Sequence, residues 1–554
     1  MGDTMDYKNK VIYQIWPRSF QDSNHDGIGD LRGILQRLDH LQDLGIDMIW
    51  LSPVYCSPNT DYGYDISDYY SIHPDFGTMD DFDALLAECK KRGMGIIMDL
   101  VANHTSDQHP WFQACLNDVN SPYRDCYYFR EGIGSKEPNN WISMFGGSAW
   151  TKDPLKPQSW YLTTFTPHQC DLNWENPRVR EEVANVMRFW LEKGVSGFRM
   201  DVINTIAKQP GLPSWHPEKK GYQFAKDLMT NLPKSHEYIQ ELIGKLSPDF
   251  DFITIGEGMM ADNDACALYA GEDRGELNMM IMFDLHLQDC GPLGKYDFRK
   301  LYHWTIPGFK SIIFRWQSDS QKRNYWVANY MNNHDQPRSI SRFGNDSRYR
   351  IESAKAFALM NLTLRGTPLI YQGEEIGMTN CRLEKDEWRD YEAINIYSTL
   401  QTMMHLPKFI AKKVVQRMTR DHARTPVQWD ESDYAGFSDH QPWIKVNPNY
   451  KQINLKKDLV LETSICRWYK QVIALRKACP ALNTGIMEPV LKNHKQILGY
   501  VRKDDKAEFL VLINLSSSLA RFDLKTEGSI LMDSYPDPQP QLLRPYESRL
   551  IQIR

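Results

Sequence analysis

At 554 residues the chain is too long for one compact core and points to two or three domains. Hydrophobic residues at 42% and charged residues at 25% give the balance of a soluble globular protein. The net charge of −6, with no basic cluster and no acidic tail, argues against a nucleic-acid partner, and no run reaches the roughly eighteen apolar residues of a membrane span.

The opening residues Met1, Gly2, Asp3, Thr4, Met5 and Asp6 lack a charged segment followed by an apolar one, so no secretory leader is expected. Residues 11–17 read as a strand, 30–44 as a helix, 48–51 as a strand, 80–91 as a helix and 95–101 as a strand. Residues 104–173 are rich in Asn, Pro, Gly, Trp and Tyr and have no helical period, which predicts an inserted loop-rich domain. Alternation resumes with a helix over 179–193 and a strand over 197–202. Further strands follow at 252–255, 279–283, 326–331 and 368–371. Eight strands in β/α order predict an α/β fold, a (β/α)8 TIM barrel over 1–103 and 174–480 with the insertion after its third strand. The last helix is placed at 464–479. Beyond it, 497–502, 508–515 and 530–532 are β-like and predict a C-terminal all-β sandwich domain over 481–554. The ten cysteines show no CxxC pair or metal spacing. Cys89, Cys115 and Cys466 fall in helical runs as reduced, buried thiols, and a cytoplasmic location is expected.

Polar residues gather at the ends of the strand runs: Asp99, Asn103 and His104, then Arg199 and Asp201, then Glu257, then His334 and Asp335. In a barrel, the C-terminal ends of strands face one pocket. A buried apolar run ending in a carboxylate is costly unless that group has partners or chemistry to do. The segments Asp99-Leu100-Val101-Ala102-Asn103-His104, Gly197-Phe198-Arg199-Met200-Asp201, Gly256-Glu257 and Asn332-Asn333-His334-Asp335 resemble the four signature regions of the α-amylase family, in order and at the ends of the right strands. Gln169-Cys170-Asp171-Leu172-Asn173 extends the likeness into the insertion, and the resemblance spans nearly the whole chain.

The residue types suit that chemistry. Retaining glycoside cleavage needs two carboxyls about 5 Å apart. Asp201 reads as the nucleophile, with Arg199 two residues earlier on the same strand face to keep it ionised. Taken alone, this pair would be an ordinary ion pair at a strand end. Glu257 emerges from the buried run Ile253-Thr254-Ile255-Gly256 and reads as the acid/base, its pKa expected to rise by desolvation; in isolation it could equally cap a strand. The resemblance implies that Asp335 is a third carboxylate that holds sugar hydroxyls and stabilises the transition state, that His104 and His334 hydrogen-bond the same sugar, and that Gln169 joins them.

Asp61-Tyr62-Gly63-Tyr64-Asp65 and Arg420-Asp421-His422-Ala423-Arg424-Thr425-Pro426 resemble segments of the glucosidase branch. There, residues matching Asp61 and Arg424 clamp the non-reducing glucose and the one matching Tyr64 stacks on it, which implies exo action. Alone, the first segment is a Tyr/Gly/Asp turn. Val202, directly after the nucleophile, goes in this subfamily with α-1,6 preference, where Ala or Thr goes with α-1,4. Strict alternation would turn Val202 out of the pocket, so the strand must lose its regularity there; the plain alternative is a packing residue. The run from Asp22 to Asp30 spaces oxygens at every second residue, without a full EF-hand loop. Similar loops in the subfamily bind one structural Ca2+, here through Asp22, Asn24, Asp26, the Ile28 carbonyl and Asp30; the alternative is an Asp/Asn turn without metal.

Two departures concern specificity: Cys170 stands where the family has Pro, and Gly258-Met259-Met260 follows the acid/base. The reading is a monomeric retaining α-glucosidase that takes small α-1,6-linked oligosaccharides, with no organic cofactor. Trehalose-6-phosphate hydrolysis, and an α-glucosidase of α-1,4 or mixed specificity with transglucosylation, remain alternatives. A sucrose isomerase and a catalytically dead transporter subunit fit less well.

Overall fold

The computed structural model describes residues 6–291, 294–298, 303–524 and 527–554. Of the opening residues Met1 to Asp6, which carry the expectation of no leader, the first five lie outside the described residues. Eight parallel strands close a barrel: β1 (Ile12–Ile15), β2 (Met48–Leu51), β3 (Gly95–Val101), β4 (Gly197–Asp201), β5 (Ile253–Glu257), β6 (Met279–Ile281), β7 (Val327–Asn329) and β8 (Thr367–Tyr371). Each pairs with its sequence neighbours, and β8 closes on β1 through Ile12 opposite Leu369. Inward side chains such as Trp50, Ile97, Ile253, Ile255 and Trp326 fill the interior, so the barrel is a packed core and not a channel. Helices cover the outside, bury one face and end at identifiable stops. Pro177–Lys193, for example, starts on an Asn176 cap and stops at Gly194 in the left-handed region (φ 103°).

Three sequence expectations need correction. The helix placed at 30–44 is two helices, Leu31–Gln36 and Leu38–Leu44, broken at Arg37, whose side chain turns to Gln21 Oε1 at 2.8 Å and to the Trp429 ring. The stretch 104–173 does contain a helix, Pro110–Asn117, with Pro at its first position and Phe112 and Cys115 buried. Two turns are too short for an apolar period to stand out. The C-terminal sheet has two strands more than expected: its order is β9 (Ile486–Val490), β10 (Ile497–Lys503), β11 (Glu508–Asn514), β13 (Ser548–Gln552), β12 (Ser529–Asp533), all antiparallel. A two-stranded sheet, Ala520–Arg521 with Leu542–Leu543, packs over it, and Phe522 and Leu543 share a core with Val501 and Leu510.

Between β8 and the helix Ile465–Ala478, the helices Tyr391–Thr402 and Lys408–Met418 form a small core of their own. All ten cysteines are free. No helix among the described residues is long and apolar enough to cross a membrane.

Candidate active site

The pleat explains how a hydrophobic barrel ends in charge. Alternate residues share a face, so Gly197, Arg199 and Asp201 follow one another inward along β4, as Ile253, Ile255 and Glu257 do along β5. Above the isoleucines the inward row turns polar. Arg199 Nη1 donates to Asp99 Oδ1 and to Asp201 Oδ1, each at 2.8 Å, and Nη2 donates to Glu257. Arg199 is fully buried, so one cation serves three carboxylates in a dry setting.

Burial pushes the Asp201 carboxyl well above its usual range; Arg199 opposes this, and the Glu257 charge and hydrogen bond reinforce it. The Arg199 guanidinium favours the ionised form, as the sequence suggested, while burial works against it. Burial raises Asp99 as well, against the pull of Arg199.

β4 stops at Asp201. Val202 takes φ 35° and ψ 40°, a left-handed conformation that strains a β-branched residue. The turn aims its N–H at Glu257 Oε2, 3.0 Å away, and brings its side chain to the cavity wall beside Asp201.

A second cluster faces this one. His334 is sandwiched between Trp16 and Tyr64, with ring centroids at 5.2 and 5.1 Å. Its Nδ1 accepts from Gln14 Nε2 at 2.8 Å, which leaves the proton on Nε2, 3.1 Å from Asp335 Oδ2. Burial would raise Asp335, but His334, Arg420 and Arg424 hold it well below the usual carboxylate range. Tyr64 donates to Asp99 Oδ2 at 3.0 Å. His104 Nε2 lies 3.0 Å from the Tyr64 carbonyl and 3.1 Å from Gln169 Nε2, and burial lowers its pKa, so the ring is neutral.

The clamp expected between Asp61 and Arg424 is formed by a different arginine. Arg420 Nη2 meets Asp61 Oδ1 at 3.0 Å and is backed by Asp390 at 2.8 Å. Arg424, one helical turn further on, meets Asp335 at 3.3 Å and the His334 carbonyl at 3.2 Å. The four-residue offset on the short helix Asp421–Arg424 separates the two roles.

A cavity of about 300 Å³ opens over both clusters. Asp61, Tyr64, His104, Gln169, Asp201, Val202, Glu257, His334 and Asp335 line it, while Arg199 and Arg424 lie behind the carboxylates they hold. Met259 and Met260 line it too, whereas Cys170 is buried in the strand Gln169–Asp171. Sequence reasoning missed Phe145, Phe165, Lys295 and Glu392, which also line the cavity. Phe145, Phe165 and Lys295 come from irregular segments that carry no local period, and Glu392 sits in the first turn of the helix Tyr391–Thr402, far in sequence from the signature segments.

The chain matches the alpha amylase catalytic-domain family over residues 14–485. It belongs to the alpha-amylase family. The oligo-1,6-glucosidase of Parageobacillus thermoglucosidasius is 45% identical over 561 residues, 99% of each chain. The trehalose-6-phosphate hydrolase of Bacillus subtilis (strain 168) is 40% identical over 560 residues, 98% of this chain and 97% of that one. Among solved structures, the isomaltulose synthase from Klebsiella sp. LX3 superposes with a TM-score of 0.93 at 39% identity, covering 100% of both chains. The chain is a glycoside hydrolase of that family.

Proposed function

We propose that this glycoside hydrolase releases glucose from the non-reducing end of short isomalto-oligosaccharides, panose and dextran fragments by cleaving α-1,6 bonds with retention. The observation that carries the reading is Arg199 bonding both Asp201 and Glu257 at the wall of a pocket that the Asp61–Arg420 pair also lines. Two carboxyls bonded to one guanidinium stay close together, as a retaining enzyme needs, and not at the separation of about 6.5–9.5 Å that seats an inverting enzyme's water.

In the first displacement, Asp201 attacks the anomeric carbon while Glu257 gives its proton to the departing glycosidic oxygen. The C1–O bond breaks and a glucosyl ester forms on Asp201. In the second, Glu257 takes a proton from water, whose oxygen attacks C1 and releases Asp201. Asp335, held ionised by His334 and two arginines, takes sugar hydroxyls and stabilises positive charge at the ring. Tyr64 stacks on the glucose, with His104, His334 and Gln169 as hydrogen-bond partners and Asp61 and Arg420 as the clamp.

Cleavage of trehalose 6-phosphate would need a free cation beside the leaving sugar. The only Lys and Arg among the described lining residues are Lys295, paired with Glu392 at 2.6 Å, and Arg420, paired with Asp61 and Asp390. That weighs against the phosphorylated substrate. Linkage choice rests on Val202 at the wall beside Asp201. Val202→Ala is expected to lower the ratio of kcat/KM for isomaltose over maltose about tenfold, the worth of one or two methyl groups in a pocket. An unchanged ratio removes Val202 from specificity; wild-type preference for maltose or trehalose 6-phosphate overturns the substrate assignment.

The loop 22–30 supports one structural calcium, held by Asp22, Asn24, Asp26, the Ile28 carbonyl and Asp30. Asp22 and Asp30 are each 4% exposed and form no ion pair among the described residues; backbone N–H groups and the Ser23 and Ser438 hydroxyls satisfy them, and a calcium ion would add the positive charge the loop lacks. Asp22 Oδ2 accepts from Gly27 N at 2.9 Å and Asp26 Oδ1 from Ile28 N at 2.8 Å, so the loop wraps around its own oxygens. Removing calcium with a chelator is expected to cost about 2–3 kcal/mol of stability relative to a hundredfold excess over Kd. Asp26→Ala, at an exposed position, should abolish that response in thermal unfolding; a wild type indifferent to chelator would argue for a metal-free turn. The ten free thiols support a reducing compartment.

A further inference from the structure

Away from the substrate cavity, two loops far apart in sequence present a second constellation. Asp439 Oδ1 lies 2.8 Å from His25 Nδ1 and 2.7 Å from His440 Nδ1, and the two imidazole rings sit 6.3 Å apart, tilted by 48°. One ligand atom from each residue falls within 4.8 Å of the others, and no other three His, Cys, Asp or Glu side chains among the described residues converge in this way.

The backbone beneath is fixed. Asp22 N donates to the Phe437 carbonyl at 3.0 Å, and Ser438 Oγ to Asp22 Oδ2 at 2.6 Å. Gln21 Nε2 donates to the same Phe437 carbonyl at 2.8 Å, and Trp443 N to the Gly27 carbonyl at 3.0 Å. The loops touch so closely that a Cβ on Gly27 would fall 2.2 Å from the Gln441 carbonyl oxygen. His25 itself is held at φ 67°, a conformation that costs a non-glycine residue energy and that carries its ring over to Asp439. The framework therefore orients two imidazoles and a carboxylate that burial does not constrain, since all three side chains are at least 60% exposed.

We propose that His25, Asp439 and His440 form a surface site for a divalent transition ion of the zinc, nickel or copper class. Imidazole nitrogen suits these ions, whereas calcium takes oxygen, so the site is chemically separate from the 22–30 oxygens although His25 lies in that loop. Water would complete the coordination sphere, and the bound ion would clamp loop 22–30 to the 437–443 segment. None of the three residues lines the substrate cavity, so the ion takes no part in the cleavage.

Calorimetric titration of the full chain, first treated with chelator and then saturated with calcium, tests this with ZnCl2 and NiCl2. The wild type should bind one equivalent that His440→Ala and Asp439→Asn lose or weaken by about tenfold or more. Both variants should keep wild-type circular dichroism, isomaltose turnover and CaCl2 isotherms. Zinc and nickel isotherms identical in wild type and both variants, or no saturable binding in the wild type, would overturn the site.

Discussion

Asp201→Asn should lower kcat on isomaltose by roughly 10⁴-fold or more and leave the protein at least as stable as the wild type. The activity loss follows because an amide cannot form the glucosyl ester, and no other carboxylate has the same place against the anomeric carbon. The stability change has its own sign and pH dependence. Burial raises the folded pKa of Asp201 above its unfolded value near 4. Between those two values the native state binds more protons than the unfolded one, so this group makes stability fall as pH rises through the window. Asparagine removes that penalty. The gain in thermal midpoint over wild type should therefore grow from pH 4 upward and level off once the wild-type group has titrated. Unfolding scans across that range check it; a variant less stable than wild type at neutral pH would mean that the Asp201–Arg199 contact outweighs the cost of burying the charge.

Arg199→Leu has the largest expected effect on the fold, a loss of about 3–5 kcal/mol. The guanidinium is the one cation that Asp99, Asp201 and Glu257 share, and truncation leaves three carboxyls in a dry barrel mouth. Because protonation relieves unpaired buried carboxylates, the loss should be smaller at pH 5 than at pH 8, as denaturant titrations at the two values would reveal. Arg199→Lys keeps the charge but not the planar fork that reaches three acceptors at once. It should fold and yet turn over isomaltose roughly 10²-fold or more slowly, since the two carboxyls are no longer held in register. Equal stability of Arg199→Leu and wild type would contradict the place given to this residue.

Much of the barrel is legible in the sequence because its strands are buried on both faces and appear as short apolar runs ending in charge. The run Gly95–Val101 is found residue for residue, and Asp201 and Glu257 stand at the ends of β4 and β5. The helix Pro110–Asn117 is missed because eight residues give too little period. β13 (Ser548–Gln552) is hidden because a near-fully buried strand with Ser548 and Arg549 in it does not alternate cleanly. The site divides in the same way. Residues set by strand register, such as Arg199 and Asp201, follow from the pleat. Residues set by loops do not: Arg420 and Arg424 differ in role through one helical turn, and Lys295 meets Glu392 across nearly a hundred residues of chain. Val202 lies between these cases. The conflict between its place in the row and its expected place in the pocket required a break in the strand, and the left-handed turn at φ 35° is where β4 breaks.

The most direct test of the central claim is the proton NMR spectrum of the first turnovers on panose, recorded before mutarotation. The account predicts glucose released as the α anomer together with maltose, with no isomaltose. Glucose first seen as the β anomer would contradict retention through Asp201, and isomaltose among the products would contradict α-1,6 cleavage from the non-reducing end.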